Sequence, residues 1–235
     1  MEEKNNSNIM VPLSIVIAGL LVAGAVYLTN DKSGSDVTEE AEQPAQQEEQ
    51  QPDLSSLTPV TDEDHIIGNP NASVILVEYS DLECPFCSKV HPTIEKIVEE
   101  YDGKVAWVYR HFPLSQIHPN AGQLALASEC VAKEGGNDSF WSFIGKVFEQ
   151  GTKGEEAIVT LANQIGLNGE NVRACINSDE FQQDVIDDRN NAVAVGAQGT
   201  PYTVVVGPNG LKATVNGAQP IEAFRQVIDT ILGQQ

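Results

Sequence analysis

The chain has 235 residues, room for one large or two small domains, and a formal net charge of −21. Lysine and arginine cluster nowhere in it, which excludes nucleic acid as a partner and adhesion of the folded part to anionic lipid. The acidity is uneven, with 11 of the 34 Asp and Glu residues lying between Asp31 and Asp64.

After a short leader (1–8), residues 9–28, "IMVPLSIVIAGLLVAGAVYL", run without a charge for 20 residues. That matches the ~20 residues a bilayer-spanning helix needs. A retained single-pass anchor is predicted, because the leader carries Glu2 and Glu3 and lacks the basic character of a cleavable signal. Cleavage after Ala25, in "AGA", is the alternative. Lys4 and Lys32 flank the segment too evenly to orient it by charge.

Residues 29–64 are rich in Glu, Gln, Ser and Pro and poor in large apolar side chains, so they are predicted to form a disordered acidic linker. As a flexible coil such a stretch spans on the order of 30 Å. Residues 65–235 are then the folded domain, ample for one buried core.

"SVILVEYS" (73–80) reads as a buried strand, followed by a helix over about 85–101 and a second strand, "KVAWVYR" (104–110). Strand, helix, strand at this spacing implies parallel pairing through a right-handed crossover. Helical periodicity then holds over about 115–196, with Asp138 capping "SFWSFIGKVFEQ". "YTVVVG" (202–207) and "LKATVNG" (211–217), joined at "PNG", form a predicted antiparallel hairpin. The last helix opens at Pro220. The domain is therefore α/β, in the order β-α-β, helical insertion, β-β-α.

Cys84 and Cys87, in "SDLECPFCSKVHP", stand where the first strand meets its helix. A Cys-X-X-Cys beside a βαβ pattern is the redox form of that spacing. The unpaired N–H groups and positive dipole end of a helix favour a thiolate at the first cysteine. Cys84 is thus the expected nucleophile, acidified and open to solvent, and Cys87 the more buried resolving thiol. A zinc on Cys84, Cys87 and His91 would need a fourth ligand from a second close pair, and none exists. No metal or other cofactor is predicted, and His91 is expected on the helix surface. Glu78 interrupts its apolar strand, so burial should raise its pKa; an edge-exposed carboxylate is the alternative. His65, His111 and His118 have no partners readable from sequence.

Taken together, "CPFC" after "VILVEYSDLE", Pro92 eight residues beyond Cys84, the step Thr200-Pro201 in "GTPYTVVV" and the helical insertion resemble the DsbA-like thiol-disulfide oxidoreductases of the thioredoxin superfamily over essentially all of 65–235. The resemblance implies a thioredoxin-like fold and a cis bond at Thr200-Pro201 facing the cysteines, with the Thr200 backbone free for a substrate peptide. It implies that Glu78 relays the proton of Cys87, and that Pro85 and Phe86 tune the couple. With Phe86 where strongly oxidising relatives carry histidine, a less oxidising potential is expected. It also implies that Cys130 and Cys175, in the helical insertion, form a structural disulfide; two buried free thiols are the alternative.

The expected activity is introduction of disulfides into exported proteins outside the cytoplasmic membrane. Reduced or misoxidised exported proteins would be the substrates and a membrane quinone-linked thiol oxidase the recycling partner. Reverse flow, as a reductase or isomerase, and a tethered non-catalytic binding module are the alternatives.

Overall fold

The computed structural model describes residues 52–234. The leader, the apolar segment 9–28 and residues 29–51 lie outside them. Among the described residues no helix is long and apolar enough to cross a membrane.

Five strands form one mixed sheet: β1 (His65–Gly68), β2 (Val74–Ser80), β3 (Val105–His111), β4 (Tyr202–Val206) and β5 (Lys212–Asn216), in spatial order β1-β3-β2-β4-β5. β2 and β3 are parallel and the other pairings antiparallel. Parallel neighbours need a crossover, and α1 (Pro85–Glu100) supplies it. The helical insertion contains α2 (Ala121–Gln150), α3 (Glu155–Gln164), α4 (Gly169–Ile176) and α5 (Gln182–Ala194), and α6 (Ile221–Leu232) closes the domain.

β2 is central because it is apolar on both faces, as a buried strand must be. Val74 and Leu76 belong to a core with α1, α2, α3, α4 and α6, whereas Val77 and Tyr79 pack on the other side with Ala192, Val195 and Leu57. Glu78 shares the first of these faces by alternation. α2 consists of two helical stretches that meet at a kink at Gly136, two residues before the predicted Asp138 cap, where a φ of 78° and ψ of −176° suit glycine alone.

Strand β1 was not predicted. It is four residues long, on the sheet edge, and ends at Gly68, where a Cβ would sit 3.0 Å from the Val105 carbonyl oxygen.

Residues 52–64 correct the linker expectation. Leu57 is buried, and Arg110 binds both carboxylate oxygens of Asp64, at 2.8 and 3.1 Å, and the carbonyls of Thr58 and Pro59. A composition average over the acidic stretch hid three apolar anchors, Leu54, Leu57 and Val60, together with one acid that has a buried cation to pair with.

Candidate active site

Cys84 is the N-cap of α1 and Pro85 occupies its first turn, so the chain leaves β2, turns at Asp81–Glu83 and aims its first helical N–H groups at the Cys84 sulfur. Both cysteines are unbonded thiols. Cys84 keeps 4% of its surface and Cys87 none, which corrects the expectation of an open thiol. The cause is the Thr200-Pro201 loop, whose peptide bond is cis and whose Thr200 carbonyl oxygen lies 3.5 Å from Cys84 Sγ. That carbonyl, expected free for substrate, instead faces the Cys84 sulfur. The ordering of the two sulfurs nonetheless survives: whatever opening exists is at Cys84.

Their chemistry differs accordingly. A hydrogen bond from the Cys87 thiol is the largest influence on Cys84; it acts against burial and, with the N–H groups of Cys87 and Phe86, lowers the Cys84 pKa to about 5. Burial pushes Cys87 well up, and the neighbouring Cys84 and Glu78 push the same way. Glu78 is 1% exposed, and burial raises it to about 7. One helix mouth therefore carries an acidified sulfur, a sulfur that holds its proton, and behind them an acid poised near neutrality. Phe86 projects into solvent, 61% exposed, beside Cys84.

Two acids of the "SDLEC" turn, missed in the sequence, fix its shape. Asp81 is buried and accepts from the N–H groups of Glu83 and Leu114, with His118 Nδ1 at 2.8 Å. Glu83 accepts from the N–H of Asn120 at 2.7 Å and pairs with Lys153. These bonds tie the turn before Cys84 to the segment leading into α2. The only sequence signal was two carboxylates flanking a leucine, which a solvated turn would also show.

His91 is buried, not on the surface, with ring centroids 4.9 Å from Trp107 and 5.1 Å from Phe148. Four residues after buried Cys87, it lies on the same inward helix face, and burial lowers its pKa to about 4. Cys130 and Cys175 are bonded to each other, joining α2 to α4. No group of three or more His, Cys, Asp or Glu among the described residues could hold a metal ion.

A mixed sheet with a Cys-X-X-Cys at the mouth of its crossover helix, facing a cis-proline, defines the thioredoxin-like class. A family model described as thioredoxin matches residues 60–230, and the chain belongs to that family. The structure aligns with DsbA2 of Pseudomonas aeruginosa at 26% identity and a TM-score of 0.62, covering 73% of this chain and 96% of that one. The fold is also shared with oxidised BdbD of Bacillus subtilis (24% identity, TM-score 0.62, 78% and 96% covered). Among curated proteins it is 34% identical over 160 residues to the Na(+)/H(+) antiporter NhaA 1 of Mycolicibacterium gilvum, covering 66% of this chain. The chain spans about a quarter of the length of that relative.

Proposed function

We propose that this chain is an extracytoplasmic thiol-disulfide oxidoreductase that introduces disulfides into exported proteins through Cys84 and Cys87. The observation that carries the proposal is the asymmetry of the pair: an acidified Cys84 with what opening there is, and a sealed, proton-holding Cys87 backed by Glu78. The likeness to a DsbA2 supports the same reading. The antiporter match spans a quarter of that protein and supplies no argument for transport.

In the oxidised enzyme a substrate thiolate attacks Cys84 Sγ. The Cys84–Cys87 bond breaks, its electron pair passes to Cys87, and the Glu78 carboxyl group protonates that sulfur. A second substrate thiolate then attacks the substrate sulfur of the mixed disulfide and expels Cys84 as a stabilised thiolate. The substrate loses two electrons and the enzyme gains them. Phe86 offers an apolar contact to an unfolded chain, and Pro85 fixes the first turn on which the thiolate depends.

Re-oxidation needs a partner, and by analogy with the family this is a membrane quinone-linked thiol oxidase. The uncharged segment 9–28 supports a single-pass anchor that keeps the domain outside the membrane and near that partner. Reverse flow, as a reductase or isomerase, is the second reading, favoured by the absence of a cation at Phe86.

Refolding of reduced ribonuclease by the full-length chain tests the activity: wild type is expected to restore the ribonuclease and Cys84→Ser to be inert. Equal behaviour of the two would leave a binding module. Thiol trapping in intact cells tests direction, since a mostly reduced pair counts against the oxidase.

A further inference from the structure

Every polar group of Asp81 is bonded, and the residue stands between the two active-site cysteines. Its N–H donates to Cys87 Sγ, 3.4 Å away, and its carbonyl oxygen accepts from the Cys84 N–H at 3.0 Å. Its carboxylate is sealed from solvent and faces two ways. Oδ1 accepts from the Glu83 N–H at 2.7 Å, the short-range bond by which an aspartate shapes its own turn. Oδ2 accepts from the Leu114 N–H at 2.8 Å and lies 2.8 Å from His118 Nδ1, which fastens that turn to a segment 33 to 37 residues further along the chain.

By charge alone, a buried carboxylate on the residue that touches Cys87 works against a thiolate there. What it contributes to the chemistry is geometry. The Asp81 N–H reaches a fully buried sulfur, and its direction is set by the turn that the carboxylate holds on both sides. A thiol or disulfide sulfur is a weak acceptor and an anionic sulfur a strong one. The bond therefore strengthens as charge develops on Cys87, which is the condition for speeding the step and not merely steadying the resting enzyme.

We infer that the Asp81 N–H stabilises the charge on the Cys87 sulfur as the disulfide opens, and that the Asp81 carboxylate, held by Leu114 and His118, aims it. The inference rests on the proposed chemistry of Cys84 and Cys87. When a substrate thiolate attacks Cys84 Sγ, the Cys84–Cys87 bond breaks and its electron pair settles on Cys87 Sγ. A proton from the Glu78 carboxyl group then neutralises that sulfur. Glu78 Oε2 has no hydrogen-bond partner among the described residues, whereas the Asp81 N–H is bonded to the sulfur in this reduced state. The Asp81 N–H is thus a catalytic group, and the Asp81 carboxylate and His118 position it.

The test measures how fast a reduced dithiol peptide opens the Cys84–Cys87 bond of the oxidised full-length chain, by acid quench and thiol labelling, in wild type, Asp81→Ala and Asp81→Asn. Asp81→Ala retains the N–H but loses its aim, and is expected to open about tenfold more slowly, the lower end of what a hydrogen bond to a charged group supplies. Asp81→Asn, which keeps one acceptor, is expected to fall between. A charge effect alone has the opposite sign, because removing an anion speeds the departure of a thiolate. Folded variants as fast as wild type or faster therefore overturn the assignment. The second readout is the thiolate absorbance of Cys87 in a Cys84→Ser background, where it is the one free thiol. Adding Asp81→Ala is expected to raise that midpoint by about one unit, tenfold in proton affinity. A slower reaction with an unmoved or lowered midpoint means distortion of the approach to Cys84, and overturns the assignment as well. If Asp81→Ala fails to fold, Asp81→Asn decides by the same signs. A wild-type chain that oxidises no peptide overturns the oxidoreductase reading, and the assignment with it.

Discussion

At the scale of single residues the domain is organised around one sulfur. With Cys84 lowered to about 5 from an ordinary value near 9, folded Cys84 has lost its proton at pH 7 while an unfolded chain keeps it. Stability of the reduced form therefore rises with pH between about 5 and 9. Thiolate absorbance of the reduced chain is expected to show a midpoint near 5; a midpoint near 9 sinks the assignment. In general, stabilising the thiolate of a pair makes its disulfide more oxidising, and the Cys87 thiol and the helix N–H groups act in that sense where Phe86 supplies no charge. Glu78 shows the opposing demand. Replacing it by leucine in the Val74–Leu76 row is expected to raise unfolding free energy by about 1–3 kcal/mol, by removing an unpaired buried carboxyl. Disulfide exchange in the same variant should slow by about 100-fold or more. Chemical denaturation and peptide oxidation measured together check both halves.

Among the elements, α2 and α4 are held by the Cys130–Cys175 bond, which closes a loop of sequence separation 45. Replacing both cysteines by alanine is expected to cost about 3–4 kcal/mol in the chain-entropy picture. The Cys84 titration should be unchanged, and a shifted midpoint would mean that the insertion supports the thiolate directly. The segment 52–64 is fastened to β3 by the buried Arg110 guanidinium. Arg110→Met leaves Asp64 without its cation, and limited proteolysis is then expected to cut between Thr58 and Asp64, where the wild-type domain resists. The strands β2, β3, β4 and β5 and the helix α1 were legible because each carries its own period and its own punctuation. β1 was not, because four residues ending in glycine give no periodic signal and pair only through β3.

For the molecule as a whole, acid response is a balance of opposed groups. His91 sits near 4 in the fold, below its unfolded value near 6.5, so the unfolded chain binds the extra proton between those limits. Its contribution is complete above about pH 6.5 and is lost as pH falls toward 4. For Glu129 burial acts upward, but hydrogen bonds from His111 and His65 overcome it and hold the carboxyl at about 2. That contribution is complete above about pH 4.5 and is lost between there and 2. Glu78, raised to about 7, and Asp188, raised to about 6, both by burial, act in the opposite sense and gain from acid. The decisive comparison is His91→Phe against wild type: the difference between their unfolding free energies is expected to change by about 3 kcal/mol between pH 7 and 4. A constant difference would mean that His91 titrates normally.

The sequence alone determined the class. A β-branched strand, a Cys-X-X-Cys at the following helix mouth and a proline at the start of a later strand are local patterns, and each reports on the few residues around it. It also marked Glu78, because a carboxylate within an apolar strand is anomalous wherever the strand lies. What it left undecided, or read wrongly as for Cys84 and residues 52–64, was every relation that depends on which elements meet. Whether Cys84 stays open, how His111, Glu129 and His65 converge, and that the end of the acidic stretch lies against β3 are set by packing between segments far apart in the chain. Burial and pairing are properties of the closed fold, and a one-dimensional pattern records only the half contributed by its own segment.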